Sequence, residues 1–418
     1  MKCDNVNKLC VGAASVDITP PLCVPYLSGN PRHAPFTGVH DNLRVSAAVI
    51  SNGHKTVAIV SMDSIGFDNA VLGKNENYTA YVRRLICQRC PITPQNVLVS
   101  AGHIHSTPDM LNFRDLSGFK EAKPWFKTIA RRTAEAVELA FNSMSPATMK
   151  YKKCDVEGIA INRRDEKDVD NQLITLLFEC ENGANVVIGH FACHPVIVQA
   201  QPLVSADYVG VMRQTVEKGL PNSTFLLLQG FAGDINPAVG DKGSFEQVHQ
   251  VGAALGEAAL AQALALLDET DWENDCRLDV LSGHIMLPSR ELPEGDALLP
   301  YADDEDAQVR MAEGTPEYPC ELQVLRIGRC VIMGAAGELF CGAGLRLKHS
   351  LPGEVCMPTG YANGYVGYVC PHYAFENGGY ETEVGPWSKV GPEAHEIIIN
   401  KLTEIYILME EQGRSKQQ

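Results

Sequence analysis

Apolar residues along this chain cluster in short, nearly uninterrupted stretches that are separated by polar and glycine-containing segments. Apolar runs of about four to eight residues are typical of β-strands that are covered on both faces. The pattern predicts strands at Arg44–Ser51, Thr56–Asp63, Asn96–Gly102, Leu173–Cys180, Asn185–His194, Thr224–Gln229, Arg277–Pro288, Glu321–Arg326 and Cys330–Gly334.

Longer stretches repeat their apolar positions every three or four residues, which predicts amphipathic helices. These helices are expected at Pro124–Asn142, Asp207–Glu217, Ser244–Leu267 and Pro392–Glu410. In the third helix, Gly252 and Gly256 predict close packing against a neighbouring element. Strands and helices follow each other without a clear break, so we expect an α/β fold in which helices flank mixed β-sheets, as one large domain over residues 1–418.

The segment 289–318 departs from this pattern because it is rich in proline and acidic residues and shows no periodicity. Such a composition favours a solvated surface loop. Long loops in compact domains are often functional, so a lid over a site is the alternative.

Polar side chains that can bind a metal follow several of the predicted strands. His103 and His105 come directly after the strand at 96–102, and His194 ends the strand at 185–194. Glu338 follows the apolar run at 330–334. Imidazole and carboxylate groups form a ligand set that zinc accepts. The three strand ends therefore predict one shared metal site.

Three further segments carry polar groups that suit a binding site. The loop Gly230–Pro237 places an aspartate and Asn236 after a strand, with glycines that permit close backbone approach. Arg163 offers a guanidinium group, which predicts either an anionic or strongly polar group in the substrate or the orientation of a carbonyl. The segment 361–368 is rich in tyrosine and glycine, which is typical of a pocket wall, and a phenol can stabilise an oxyanion.

Composition narrows the classes of partner. The chain has 418 residues, of which 45% are hydrophobic and 21% are charged, as in an ordinary globular protein. Its formal net charge of −16 argues against nucleic acid and against anionic membrane surfaces. We see neither an export signal nor a segment for stable membrane insertion. We therefore expect a cytoplasmic protein with reduced thiols and a small-molecule substrate, and the sequence leaves a homo-oligomer open.

Taken in order, these motifs resemble the neutral (non-lysosomal) ceramidase family over about residues 10–410, which corresponds to its catalytic domain without its C-terminal immunoglobulin-like domain. The matching positions are His103, His105, Ser106 and Pro108; Asn162-Arg163; His194-Pro195; Gly233-Asp234 with Pro237; Gly337-Glu338; and Asn363, Tyr365 and Tyr368 with Tyr380-Glu381.

The resemblance implies a catalytic zinc ion with four protein ligands, which would be His103, His194, Glu338 and Tyr368. It also implies that the scissile amide is polarised and oriented by His105, Arg163 and Tyr380. Zinc would polarise the carbonyl and lower the pKa of a bound water molecule. His105 would pass a proton to the leaving amine.

Asn236 stands where the family carries a serine with an assigned catalytic role. An amide cannot act as an alkoxide nucleophile, although it can donate to an oxyanion. We therefore expect a zinc-dependent hydrolase that cleaves the amide bond of a small or N-acylated substrate with a zinc-activated water. The sequence leaves open an ester, lactone or sugar derivative as substrate, a non-catalytic metal-binding scaffold, and manganese or iron as the metal.

Overall fold

The computed structural model describes residues 8–24, 36–111, 113, 120–271, 273, 276–291 and 317–415. These residues form four layers, with helices on one side, a large sheet, a smaller sheet, and one long helix on the other side. Each interface between neighbouring layers holds its own cluster of buried apolar side chains. The predicted α/β class with mixed sheets flanked by helices is confirmed.

The large sheet has eight strands in the order β11-β9-β8-β6-β1-β3-β4-β5. The β4–β5 and β9–β11 pairs are parallel, and the other neighbours are antiparallel. Its strands are β1 (Leu9–Asp17), β3 (Arg44–Ser51), β4 (Thr56–Met62), β5 (Val97–Ala101), β6 (Ser145–Asp155), β8 (Gln172–Cys180), β9 (Asn185–Phe191) and β11 (Ser223–Gln229).

This sheet is curled, so that β11 at one edge contacts β4 and β5 at the other. The buried Ser61 hydroxyl on β4 donates to the Leu227 carbonyl oxygen on β11 at 2.6 Å. The segment 359–362 bridges both edges, because Gly230 pairs with Thr359 and Ser100 pairs with Ala362. The loops that leave β5, β9 and β11 are therefore brought near one another.

The smaller sheet has the order β13-β14-β15-β17, and short strands form three additional pairs: β2 with β10, β7 with β12, and β16 with β18. The bounds are β2 (Gly38–Val39), β7 (Ala160–Asn162), β10 (Leu203–Val204), β12 (Ile235–Pro237), β13 (Leu278–Pro288), β14 (Glu317–Ile327), β15 (Cys330–Ala335), β16 (Glu338–Leu339), β17 (Val355–Thr359) and β18 (Tyr368–Val369).

All four predicted helices are present, and the described ranges hold three more that the apolar pattern did not predict. The helices are α1 (Tyr78–Cys87), α2 (Ala122–Asn142), α3 (Asp207–Gly219), α4 (Phe245–Asp268), α5 (Cys341–Ser350), α6 (His372–Asn377) and α7 (Glu393–Ser415). Single 3₁₀ turns occupy Pro94–Asn96 and Tyr380–Thr382.

Helix α4 has the length and composition of a membrane-crossing helix, which the sequence analysis did not recognise. Its buried face packs on α3 and on the large sheet. A Cβ atom at Gly252 would lie 2.6 Å from the Tyr208 carbonyl oxygen, so the predicted close packing at this glycine is confirmed. Part of its apolar surface is therefore buried in the core, with 44% of the apolar window buried.

Two further predictions meet the structure only in part. Most of the predicted loop or lid at 289–318 lies outside the described residues, and its last two residues belong to β14. Among the described residues, twelve cysteines form no disulfide, as expected, but Cys10 is disulfide-bonded, so the expectation of reduced thiols is wrong at that position.

Candidate metal centre and its pocket

The loops after β5 and β9 bring His103, His105 and His194 together. One ligand nitrogen from each ring lies within 4.8 Å of the others, so this group could hold a metal ion. The Glu338 carboxylate completes the cluster, with Oε2 3.2 Å from Nε2 of both His103 and His194. His103 and His194 are buried, whereas His105 is half-buried.

The proton on each ring is fixed by the partner of its Nδ1 atom. Nδ1 of His103 lies 2.6 Å from the Ile65 carbonyl oxygen, and Nδ1 of His194 lies 3.0 Å from that of Ile235. A carbonyl oxygen can only accept a hydrogen bond, so both Nδ1 atoms carry the proton. The Nε2 atoms of these two rings therefore present bare lone pairs to the cluster.

A glutamine fixes the position of the proton on His105. Nδ1 of His105 lies 2.9 Å from Oε1 of Gln199, and Nε2 of Gln199 donates to Asp241 at 2.9 Å. Because the carboxylate accepts from the amide nitrogen, the amide oxygen must face the histidine, and Nδ1 of His105 donates to it. Nε2 of His105 lies 3.1 Å from that of His103, so two lone pairs face each other.

The geometry therefore suits a bound cation. Burial lowers the pKa of His194 to about 4, so this imidazole is neutral at neutral pH. Neutral imidazole lone pairs and a carboxylate oxygen converge, which is the donor set expected for zinc.

Two tyrosines hold the Glu338 carboxylate from the other side. The Tyr365 hydroxyl donates to Oε1 at 2.5 Å, and the Tyr361 hydroxyl donates to Oε2 at 3.4 Å. The Tyr361 ring also stacks on His103, with ring centroids 3.9 Å apart. The sequence analysis gave no role to Tyr361, Tyr365 or Gln199, although the density of tyrosine after residue 360 signalled a pocket wall.

Backbone strain accompanies this arrangement. His103 has φ 61° and Tyr361 has φ 53°, which is the left-handed region that few residues other than glycine adopt. Strained non-glycine residues concentrate at functional sites, where the surrounding structure holds them in place. Gly233 adds a close approach, since a Cβ atom there would lie 2.7 Å from the Glu338 carbonyl oxygen.

Tyr368 lies beside Glu338 in the backbone, because β16 and β18 are parallel and the two residues pair directly. Its hydroxyl accepts a hydrogen bond from Nη2 of Arg163 at 3.0 Å. Burial raises the pKa of Tyr368 well above its usual value, although Arg163 lowers it in part. Without a metal ion, Tyr368 is therefore a neutral phenol at neutral pH.

Arg163 lies at the centre of a second network that joins this cluster. Nε donates to Glu381 at 2.7 Å, Nη2 donates to the Gly233 carbonyl oxygen at 2.7 Å, and Nη1 donates to Oδ1 of Asn236 at 3.3 Å. With the bond to Tyr368, four of its five N–H groups are occupied. Most donors of Arg163 are therefore directed at protein groups, which argues against recognition of an anionic substrate, and the orientation of a carbonyl stays a prediction.

A cavity of about 850 Å³ opens on these residues. The four predicted catalytic residues, His105, Arg163, Asn236 and Tyr380, all line it, together with Tyr368. The Tyr380 ring stacks on Trp387, with centroids 5.0 Å apart, and meets Tyr368 edge-on at 5.9 Å. The cavity thus connects solvent to the half-buried side of the histidine cluster.

The fold and this site define a globular α/β protein with a candidate metal centre at the base of a pocket. The family model for the neutral/alkaline non-lysosomal ceramidase N-terminal domain matches residues 9–243, which is more than half of the chain. The chain belongs to this family, as the sequence motifs predicted.

Solved structures agree in fold. The neutral ceramidase from Pseudomonas aeruginosa has 20% sequence identity and a TM-score of 0.76, over 97% of this chain and 75% of that chain. A ceramidase complexed with C2 has 18% identity and a TM-score of 0.76, over 97% and 76% of the two chains. At these identities the likeness shows a shared fold. No curated protein matches this chain.

Proposed function

We propose that this protein is a zinc-dependent hydrolase that cleaves the amide bond of a small or N-acylated substrate. The observation that carries the proposal is the convergence of three imidazole lone pairs and the Glu338 carboxylate at the base of a cavity. Membership of the ceramidase family supports an amide as the bond that is cleaved.

We assign metal binding to His103, His194 and Glu338, because one carboxylate oxygen lies 3.2 Å from both rings and all three residues are buried. Tyr368 is the fourth proposed ligand, since its strand pairs with Glu338. When bound, zinc supplies a Lewis acid that polarises an amide carbonyl and lowers the pKa of a water molecule.

His105 differs from the other two histidines because it lines the cavity. Gln199 fixes the proton on its Nδ1, so Nε2 carries a lone pair that can accept a proton and then donate it. We assign His105 as the group that carries the proton to the leaving amine, since a nitrogen atom must be protonated to leave at neutral pH.

Arg163 and Asn236 line the same cavity as His105. The Asn236 oxygen accepts from Arg163, so its amide N–H groups are free to face the cavity and to donate to a developing oxyanion. Arg163 also fixes the hydroxyl of Tyr368, and Tyr380 stands beside it on its stacked partner Trp387. These groups position the carbonyl side of the substrate.

The test combines metal content with turnover. We expect about one zinc ion per chain, loss of that zinc in His103→Ala and His194→Ala, and chelator-sensitive hydrolysis of N-acyl amides. His249→Ala, which changes an exposed histidine on α4, is the matched control and should retain zinc and activity. Full zinc content in both site variants, or turnover that a chelator leaves unchanged, would contradict the proposal.

A further inference from the structure

The cavity carries five charged side chains on its wall, and four of them compensate one another. Glu381 is buried and accepts from Arg163 and Arg164, each at 2.7 Å. Arg164 also donates to Glu166 at 3.0 Å and to the Gly378 carbonyl oxygen at 2.9 Å. The charges of the two guanidinium groups are therefore balanced by those of the two carboxylates, which accept hydrogen bonds from them.

Asp241 is the fifth charged group, and its partner is neutral. Its Oδ2 accepts from the amide nitrogen of Gln199 at 2.9 Å, and no cation pairs with it among the described residues. The side chain is half-buried and lines the cavity. The cavity wall, apart from the metal cluster, thus carries one surplus negative charge, and that charge is located at Asp241.

An unpaired carboxylate on a pocket wall attracts cations and repels anions. The two arginines do not offset this preference, because their charges are already matched by Glu381 and Glu166. A protonated amine on the substrate would complement Asp241, whereas a carboxylate at the same position would be repelled by it.

Gln199 connects Asp241 to the histidine of the proposed reaction. Its amide spans His105 on one side and Asp241 on the other, so Asp241 is two hydrogen bonds away from the ring that would protonate the leaving nitrogen. A positive group on the amine portion of a substrate, a few atoms beyond the scissile nitrogen, would therefore lie near Asp241.

We propose that Asp241 is a specificity-determining residue that selects amides whose amine portion carries a positively charged group. This inference rests on the proposed function for the bond that is cleaved, and on the cavity alone for the selection of charge. It assigns the substrate class as N-acylated diamines or similar amino compounds.

The first test measures binding with ureas, which replace the acetamide group and resist hydrolysis. The probes are 1-(4-aminobutyl)urea, 1-butylurea and 4-ureidobutanoate, which differ only in a cationic, neutral or anionic end. For the zinc-loaded wild type we expect the cationic probe to bind about tenfold more tightly than the neutral one, as for a half-buried ion pair. The anionic probe should bind most weakly.

Asp241→Asn removes the charge and keeps an oxygen that can accept from Gln199. We expect the preference for the cationic probe to fall to within about twofold, since the ion pair is lost. Glu246→Gln, which removes an exposed carboxylate in the first turn of α4, is the control and should retain the preference. In the wild type, added salt should weaken the preference, which tests the same attraction without a variant.

Equal affinities for the three ureas in the wild type, or an unchanged preference in Asp241→Asn, would overturn the inference. Hydrolysis of the matching acetamides distinguishes a failure of this inference from a failure of the proposed function. Charge selection without chelator-sensitive hydrolysis would refute the proposed function and support the role of Asp241. Hydrolysis with equal kcat/KM for all three acetamides would refute charge selection and leave the proposed function standing.

Discussion

The hydroxyl of Tyr365 offers the sharpest test of Glu338 as a metal ligand. It donates to Oε1 of Glu338 at 2.5 Å in a fully buried environment. Tyr365→Phe removes this single hydrogen bond and keeps the ring, so the apolar packing of the site should change little. Of its two hydrogen bonds from tyrosines, the carboxylate would then keep the longer one, from Tyr361 at 3.4 Å to the other oxygen.

The size of the effect follows from the charge of the acceptor. A hydrogen bond to a charged group contributes about 1.5–3 kcal/mol. Because about 1.4 kcal/mol corresponds to a tenfold change in an equilibrium constant, zinc affinity should fall about tenfold to a hundredfold. Loss of partners that orient metal ligands has the same range in other metal sites, about 10–100-fold. Tyr361→Phe should have a smaller effect, since its hydrogen bond is longer.

The assay is a competitive zinc titration against a chromogenic chelator near neutral pH. Tyr78→Phe is the matched control. It removes a buried hydroxyl on helix α1 that donates to the Phe126 carbonyl oxygen at 3.2 Å. That variant should lose some stability and keep its zinc affinity. If Tyr365→Phe binds zinc as tightly as the wild type, Glu338 is not a ligand that Tyr365 holds in place.

Three other predictions concern different parts of the site. Arg163→Lys should retain zinc but lower kcat/KM about a hundredfold, because an ammonium group cannot orient Glu381, Tyr368 and Asn236 together. Gln199→Leu should lower kcat more than it raises KM for a neutral amide, since His105 loses the acceptor that orients it. Burial raises the pKa of Asp234 from 3.8 to about 6, so the folded protein keeps a proton there that the unfolded chain has released. The free energy of unfolding should therefore fall as the pH rises through this range, by at most about 1.4 kcal/mol per pH unit, and urea unfolding of Asp234→Asn should lack this contribution.

The elements that the sequence predicted are those with a strong and regular apolar pattern. Strand β3 has the predicted bounds, and β4 and β5 differ from the prediction by one residue at their ends. Strand β6 escaped prediction because its sequence contains four polar or charged residues near its end and is only partly buried. Helix α5 escaped because two glycines weaken its propensity, whereas the fold supplies a partner for its first turn.

The partner of this first turn shows why the local sequence was insufficient to predict helix α5. The Asp234 carboxylate, on the loop after β11, accepts from the backbone nitrogen of Cys341 at the start of α5 at 2.7 Å. The two residues are more than a hundred positions apart in the chain, so no nearby residue signals this helix start. The same applies to the contacts of Tyr365 with Glu338 and of Gln199 with His105, which depend on how distant loops meet.

The candidate ligands were easier to predict than their partners because of where they occur. Metal-binding residue types directly after apolar strands are uncommon, and such strand ends lie at the edge of a sheet, so His103, His194 and Glu338 stood out individually. Their convergence was not visible in the strand order, since β5 and β9 lie far apart in the eight-stranded sheet.

The curl of that sheet is what unites the site, and the segment after β17 maintains it. Residues 359–362 bridge Gly230 beyond β11 and Ser100 on β5. Tyr361 within this segment and Tyr365 just after it donate to Glu338. Asn363 extends this connection, because its Oδ1 accepts from the Val99 backbone nitrogen at 3.0 Å. One short segment thus sets both the distance between the sheet edges and the orientation of the carboxylate. Shifts in this segment would move the histidines and Glu338 together, and its strained residue Tyr361 lies beside the strained His103.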